Sequence, residues 1–440
     1  MPTTYTDRYS LPVTAQGRDA AEYYMAGIDQ ALAMQMGAQA SFEAALAVDE
    51  TCAMAHIALS REFQYRGKTA EAQASKDKAV QCMQGVTRRE QQHIIALARA
   101  VEGDGPTALA LIREHVQEFP RDAFLLKQAD GPFGLIGFGG SQDRLEANFA
   151  LLDSVADAYG EDWWFLSAYA FAHNELGRHE TARRLVQRAL ALHPQSGHSA
   201  HTMAHVFFET GDHISGAAFL QEWMPEFPRQ AQIYSHLTWH WALFALANGE
   251  PEQAHALYTQ TLDPAVCPGA PLIALCDAAA LLWRCDLYGL SRPAGSREAV
   301  AAFAAQTFPR AGIAFGDVHC ALAYAAAGDT AALTRLATQL QERLVQEKLA
   351  SGVVVPALVE ALLAFASGDY EGAVQHLEPV ADQVVRVGGS NAQREVFEDT
   401  LLQAYLRAGR VAQATTLLQQ RLTRRPSARD MQWLQQVNHC

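Results

Sequence analysis

The sequence predicts an all-α protein: a helical-repeat solenoid of about ten to eleven antiparallel helix pairs, curled around a concave cavity. Three observations carry that prediction. A short phrase, glycine followed five residues later by alanine, recurs along the chain at nearly even spacing. Between the phrases, apolar residues recur at three-four spacing, the signature of an amphipathic helix. Alternating strand patterns have no clear place. At 440 residues, 49% hydrophobic and 19% charged, the chain has ample material for a large core.

The opening segment, residues 1–50, reads as a helical pair, with "ASFEAALAVDE" as part of its second member. Residues 51–426 hold about ten repeats. The phrase occurs as "GKTAEA", "GDGPTA", "GRHETA", "GEPEQA", "GDYEGA" and "GRVAQA", starting at Gly67, Gly103, Gly177, Gly249, Gly368 and Gly409. Gly211 and Gly328 fit more loosely, and Gly140 and Gly289 fall near the midpoints of two long gaps. The ten glycines step by 34 to 41 residues, with a mean of 38. Each glycine gives a first helix the backbone freedom to turn tightly into a second. Pro120, Pro194, Pro228 and Pro426 each stand 17 residues after such a glycine and stop the second helix. Residues 427–440 form a C-terminal cap. No linker separates halves, so residues 1–440 are expected to form one continuous solenoid.

Net charge and composition narrow the partners. A formal charge of −14 disfavours nucleic acid and an anionic membrane as main partners. No basic segment followed by an apolar run opens the chain, and "LIALCDAAALLW" is too short to span a bilayer and contains Asp277. A soluble cytoplasmic protein is the expectation, with a homodimer allowed. The seven cysteines form no CxxC pair. Cys267, Cys276 and Cys285 are expected to be small buried apolar residues.

"ELGRHETARRLVQRALALHP" resembles the tetratricopeptide repeat, with Gly177, Ala182 and Pro194 at that repeat's glycine, alanine and proline positions. "HTMAHVFFETGD", "HLTWHWALFALANGE", "DAAALLWRCDLYG" and "GGSNAQREVFEDTLLQAYLRAGR" resemble a narrower group, the tetratricopeptide repeat protein 38 family. That narrower resemblance implies no particular reaction. The wider one implies that positions 2, 5, 6, 9, 12 and 13 of each first helix face a concave groove, with the turn glycine as position 15.

In that register His198, His201 and His205 fall at positions 2, 5 and 9, ahead of Gly211. His236, Trp239 and His240 fall at 2, 5 and 6, ahead of Gly249, and His319 falls at 6, ahead of Gly328. Glu175 falls at 13, ahead of Gly177, and Asp130 at 5, ahead of Gly140. Three first helices therefore aim histidines at one groove wall. Because a groove wall is not core, substituting them is expected to leave stability nearly unchanged.

Two chemistries fit the cluster. His201, His205, His236 and His240 form two HxxxH pairs on neighbouring helices and can offer four imidazoles to one divalent metal, zinc or iron. HxxxH alone is a weak motif, and the metalloprotease pattern HExxH is absent. Alternatively His201, His205, His236 and His240, with Glu175, act in acid–base catalysis on a small polar molecule. His198, Trp239, His319, Asp130, Arg284 and Arg394 would line that ligand site, the arginines holding an anionic group. "GLIGFGG" (134–140) reads as an irregular loop or lid, and "GGSNAQRE" as a helix start able to bind an anion. The main expectation is a pocketed repeat protein acting on a small molecule. The alternative is a scaffold that binds a peptide or protein without catalysis.

Overall fold

The computed structural model describes residues 3–438. Among them are twenty-four α-helices, and most pack as antiparallel pairs. Arg18–Leu32 with Ala38–Val48 is the expected opening pair, and Asn391–Arg407 with Val411–Arg424 closes the series before a last helix, Ala428–Asn438. Between them lie eight further packed pairs, ten in all, within the expected count, while Ala123–Ala129 and Arg144–Asp153 pack on other helices and not on each other. The expectation for residues 1–50 missed one element: Thr3–Thr6 and Pro12–Ala15 form a small antiparallel hairpin ahead of the first helix. It is strapped to later repeats, with the Thr14 N–H donating to Glu90 at 2.7 Å and Arg8 paired to Asp29 at 2.6 Å.

The repeat phrase has a backbone cause. All ten turn glycines adopt φ between +69° and +85°, the left-handed region that a side chain disfavours. Where aspartate follows the glycine, it caps the next helix. Asp104, Asp212, Asp329 and Asp369 each accept the N–H three residues on, at 2.8–3.3 Å.

The superhelix curls until distant repeats touch. The His198 N–H donates to Ala33 O at 3.1 Å, and Gln35 donates to Gln195 O at 2.8 Å. The Asn391–Arg407 helix packs on Pro271–Leu287, where Trp283 donates to Thr400 at 2.9 Å. Arg144 donates to Val385 O at 2.6 Å and also reaches Gly389 O. The glycine-rich segment 131–143 is irregular, as expected, but it is packed in rather than poised at a mouth. Phe133 meets Phe315 at 5.3 Å, and a side chain on Gly140 would strike Ala350. Distant parts of the chain thus meet across part of the concave face, and a cavity of about 420 Å³ remains beside Glu209, Arg394 and Arg425. The apolar core falls into two large clusters, one within residues 9–172 and one within 200–437, with a small one between.

Cys276 and Cys285 are buried, as expected; Cys267 is only half-buried. Cys440 lies outside the described residues.

Candidate metal centre

Two neighbouring first helices build the site. Ser196 caps Gly197–Thr210 by accepting the Ser199 N–H at 3.1 Å, and this helix carries His198, His201 and His205. Tyr234–Ala247 carries His236, Trp239 and His240. Spacings of four residues put His201 with His205, and His236 with His240, on one face of each helix. Packing those faces together brings the four rings into one group.

His201, His205, His236 and His240 each offer a ring nitrogen, and these four atoms all lie within 4.8 Å of one another. The rings are close on every side: His205 to His240 at 4.4 Å between centroids, His201 to His236 at 5.0 Å, His236 to His240 at 5.0 Å. Nε2 of His201 faces Nε2 of His205 at 3.0 Å. The four residues are 8%, 0%, 3% and 0% exposed in chain order, so the group is interior and not an open groove wall. The reason is the curl, which closes the concave face over them.

Burial, and then the neighbouring charges of the cluster, hold His201, His205 and His240 well below the ordinary histidine range. They are neutral imidazoles with lone pairs to give. Neither ring nitrogen of His240 has a partner among the described residues, nor has Nδ1 of His205. Unpaired buried polar atoms are costly, and such a set calls for an explanation.

Asp277 was not singled out from the sequence as a site residue. It sits on Pro271–Leu287, is 1% exposed, and accepts the Nδ1–H of His236 at 2.9 and 3.0 Å. The signal was an acid in the middle of the apolar run "LIALCDAAALLW". A buried carboxylate needs a partner.

The other predicted residues lie around the four or have separate work. His198 Nδ1 bonds the Ser167 hydroxyl at 2.7 Å, and burial lowers it to about 3. Trp239 stacks on His236 at 5.1 Å. His319 donates from Nδ1 to Phe315 O at 2.7 Å and is not one of the four convergent donors. Glu175, expected beside the histidines, accepts the Asn391 N–H at 2.9 Å and pairs with Arg394 at 3.6 Å. It is thus the anion at the start of the helix that "GGSNAQRE" opens. Asp130 accepts from Asn148 at 2.9 Å, and burial raises it to about 6. Arg284 donates to Ala392 O at 2.8 Å and pairs with Asp399 at 3.6 Å. Both predicted anion-holding arginines are therefore taken by the fold.

A second buried histidine group went unread. His93 and His115 both bond Asp122, at 2.9 and 3.1 Å, and Arg89 pairs with it at 3.1 Å. Asp122 also caps Ala123–Ala129, which gives this group a structural role.

No known protein-family profile matches the chain. Several solved solenoids are similar to it over nearly their whole length. The APC/C hetero-tetramer Cut9–Hcn1 is 11% identical, with 96% of each chain covered and a TM-score of 0.37. A human IFIT1 dimer with PPP-AAAA is 12% identical, covering 98% of this chain and 97% of that one, with a TM-score of 0.41. Yeast Tom70 is 12% identical, covering 96% and 89%, with a TM-score of 0.36. The expectation of a small-molecule partner with nucleic acid excluded is corrected: among these similar solenoids Cut9 is found with Hcn1 and IFIT1 with PPP-AAAA. The physical fault lay in using net charge, a whole-molecule sum, to exclude a class of partner that a local surface can bind. The paired helices and left-handed glycine turns make the chain a tetratricopeptide-like helical-repeat solenoid. No described helix is long and apolar enough to cross a membrane.

Proposed function

We propose that this chain is a helical-repeat scaffold for a macromolecular partner, built around a divalent transition-metal ion held by His201, His205, His236 and His240. One observation carries the metal: four buried imidazoles each bring a ring nitrogen to within 4.8 Å of the others. Tetrahedral zinc with nitrogens at roughly 2.0–2.1 Å needs donors about 3.3 Å apart. The 3.0 Å separation of His201 and His205 is already near that value, so small side-chain movements suffice. Zinc is the first expectation because it imposes no geometry of its own; iron is the second.

Acid–base turnover of a small substrate is disfavoured by the same geometry. The rings are buried, and Glu175 and Asp130 are bonded elsewhere. The scaffold role is supported by the repeat architecture, which offers long continuous surfaces. Contacts such as Arg144 to Val385 O cross part of the concave face, so the partner is expected on the outer helices or the edges of the superhelix. Membership of the tetratricopeptide repeat protein 38 group belongs to the same proposal and rests on residues 165–295 and 388–426.

Elemental analysis of the purified full chain tests the metal. One equivalent of zinc or iron is expected per chain, falling to a small fraction in His201→Ala and His240→Ala. Protein that retains no metal after growth in supplemented medium, or a double variant that retains a full equivalent, would overturn the reading.

A further inference from the structure

The ion proposed above would touch only two helices, Gly197–Thr210 and Tyr234–Ala247. The third neighbour, Pro271–Leu287, sends no ligand but does send Asp277. Both carboxylate oxygens lie within reach of His236 Nδ1, at 2.9 and 3.0 Å, and both residues are buried. A carboxylate can only accept, so the shared proton sits on Nδ1. That leaves the lone pair of His236 on Nε2, in a ring whose centroid is 5.0 Å from those of His201 and of His240. The carboxylate also stops the ring from flipping to present the other nitrogen. Among the described residues the other three rings have no such partner: neither nitrogen of His240 is bonded, nor is Nδ1 of His205. His201 has a bond only to His205.

We propose that Asp277 is the positioning residue of this site, fixing His236 as an Nε2 ligand and tying the ion to a third repeat. The inference rests on the four-histidine reading. Two physical effects follow from it. Hydrogen bonding to the carboxylate makes the His236 imidazole a better donor. Asp277 also supplies a buried negative charge, bonded to one ligand, to a cation that would otherwise face four imidazoles in a dry interior. His236 is then the anchor around which the two HxxxH pairs assemble, and the ion staples three successive first helices.

The test uses the full chain, stripped with a chelator and titrated with Co2+ and with Zn2+. Asp277→Asn keeps an acceptor and loses the charge; Asp277→Ala loses both. Affinity is expected to fall about tenfold in the first and about a hundredfold in the second. The visible Co2+ bands of the wild type should weaken in the same order. Nitrogen-15 spectra of the Zn2+-loaded wild type should show His236 protonated at Nδ1 and metal-bound at Nε2, a readout that needs no variant to fold. Wild-type affinity in both variants, or His236 bound through Nδ1, overturns the role of Asp277 and leaves the four-histidine site standing. A wild type that takes up neither ion overturns the site itself, and the inference with it.

Discussion

His201 and His205 meet nitrogen to nitrogen, with Nε2 facing Nε2 at 3.0 Å in a buried interior. Without an ion, one of the two must carry the proton and the other accept it. With an ion, both lone pairs can turn to it and the protons move to Nδ1. The metal-free cluster is therefore a compromise among four rings with too few donors and acceptors to pair. His240, with neither nitrogen bonded among the described residues, bears most of the cost.

That cost makes a prediction about His240→Leu. The variant should lose metal binding, since one of four ligands is gone. In the metal-free protein it should be as stable as the wild type or more so, by about 1 kcal/mol, because leucine buries no unpaired polar atom. Urea denaturation of both proteins in chelator measures this. A loss of several kcal/mol in the metal-free variant would mean that the ring's shape, not its nitrogens, is what the site needs.

Phe171 stands between the histidines and a cleft, and so is expected to govern how fast an ion leaves the site. Its ring stacks on His201 at 5.8 Å and meets His205 edge-on at 4.8 Å. Its other side lines a cleft with Arg144, Asn148 and Glu175, beneath the 131–143 segment. Phe171→Ala should speed loss of the ion to excess chelator at least tenfold. It should also cost about 3–5 kcal/mol of stability, as large-to-small core changes do. Phe171→Leu should show both effects in milder form. Stopped-flow release at an unchanged rate would show that the ion leaves by another path.

The parts of this molecule that were legible in its sequence are those fixed over a few residues. A left-handed turn favours glycine wherever it falls, so the glycines from Gly67 to Gly409 other than Gly140 mark the turns of packed pairs, while the opening pair turns at Gly37. Register then maps neighbouring helices onto each other, so positions 5 and 9 beside 2 and 6 brought four histidines together. What register omits is how far the superhelix curls. Glu175 was assigned to the histidines because they share a concave face. Asn391, 216 residues further on, takes its carboxylate instead. The same curl buries the rings, so alanine there leaves a cavity, and the expectation of little effect on stability is kept only for a replacement that fills the space, as leucine does at His240. Asp277, at register position 3, lay off the predicted groove face. It was legible only as an acid in an apolar run.

Closure of the superhelix should make the chain unfold as one unit, as the continuous-solenoid expectation requires. Arg144 is the strongest stitch, joining the start of one helix to Val385 O and Gly389 O, over 240 residues away. Arg144→Ala removes both hydrogen bonds at about 0.5–1.5 kcal/mol each, while Gly389 O keeps Arg394 and Val385 O keeps the Gly388 N–H. The wild type should show a single denaturation transition by circular dichroism and by tryptophan fluorescence. Arg144→Ala combined with Glu175→Ala should separate it into two, matching the clusters within residues 9–172 and 200–437. A protease-stable half-molecule from the wild type would contradict the single unit.

Glu209 gives the chain a pH dependence that one substitution can isolate. Burial raises its carboxyl from 4.5 to about 7, against the pull of Arg425. A group raised in the folded state contributes stability that is fully present below its unfolded value, near 4.5. That contribution is lost as pH rises through about 7. Above pH 7 the folded protein must hold a buried carboxylate whose Oε1 has no partner among the described residues. Glu209→Gln removes that penalty, while Arg425 keeps its pairing with Glu395. The variant should match the wild type near pH 4.5 and exceed it by about 3 kcal/mol above pH 7, with the difference growing between those values. His198, lowered to about 3, and His213 and His319, each lowered to about 4, pull stability the opposite way. They are common to both proteins and drop out of the difference. Urea midpoints of the pair at pH 5, 6, 7 and 8 test this. A constant offset, or a variant weaker than the wild type at pH 8, would show that Glu209 is held ionised and supported by Arg425.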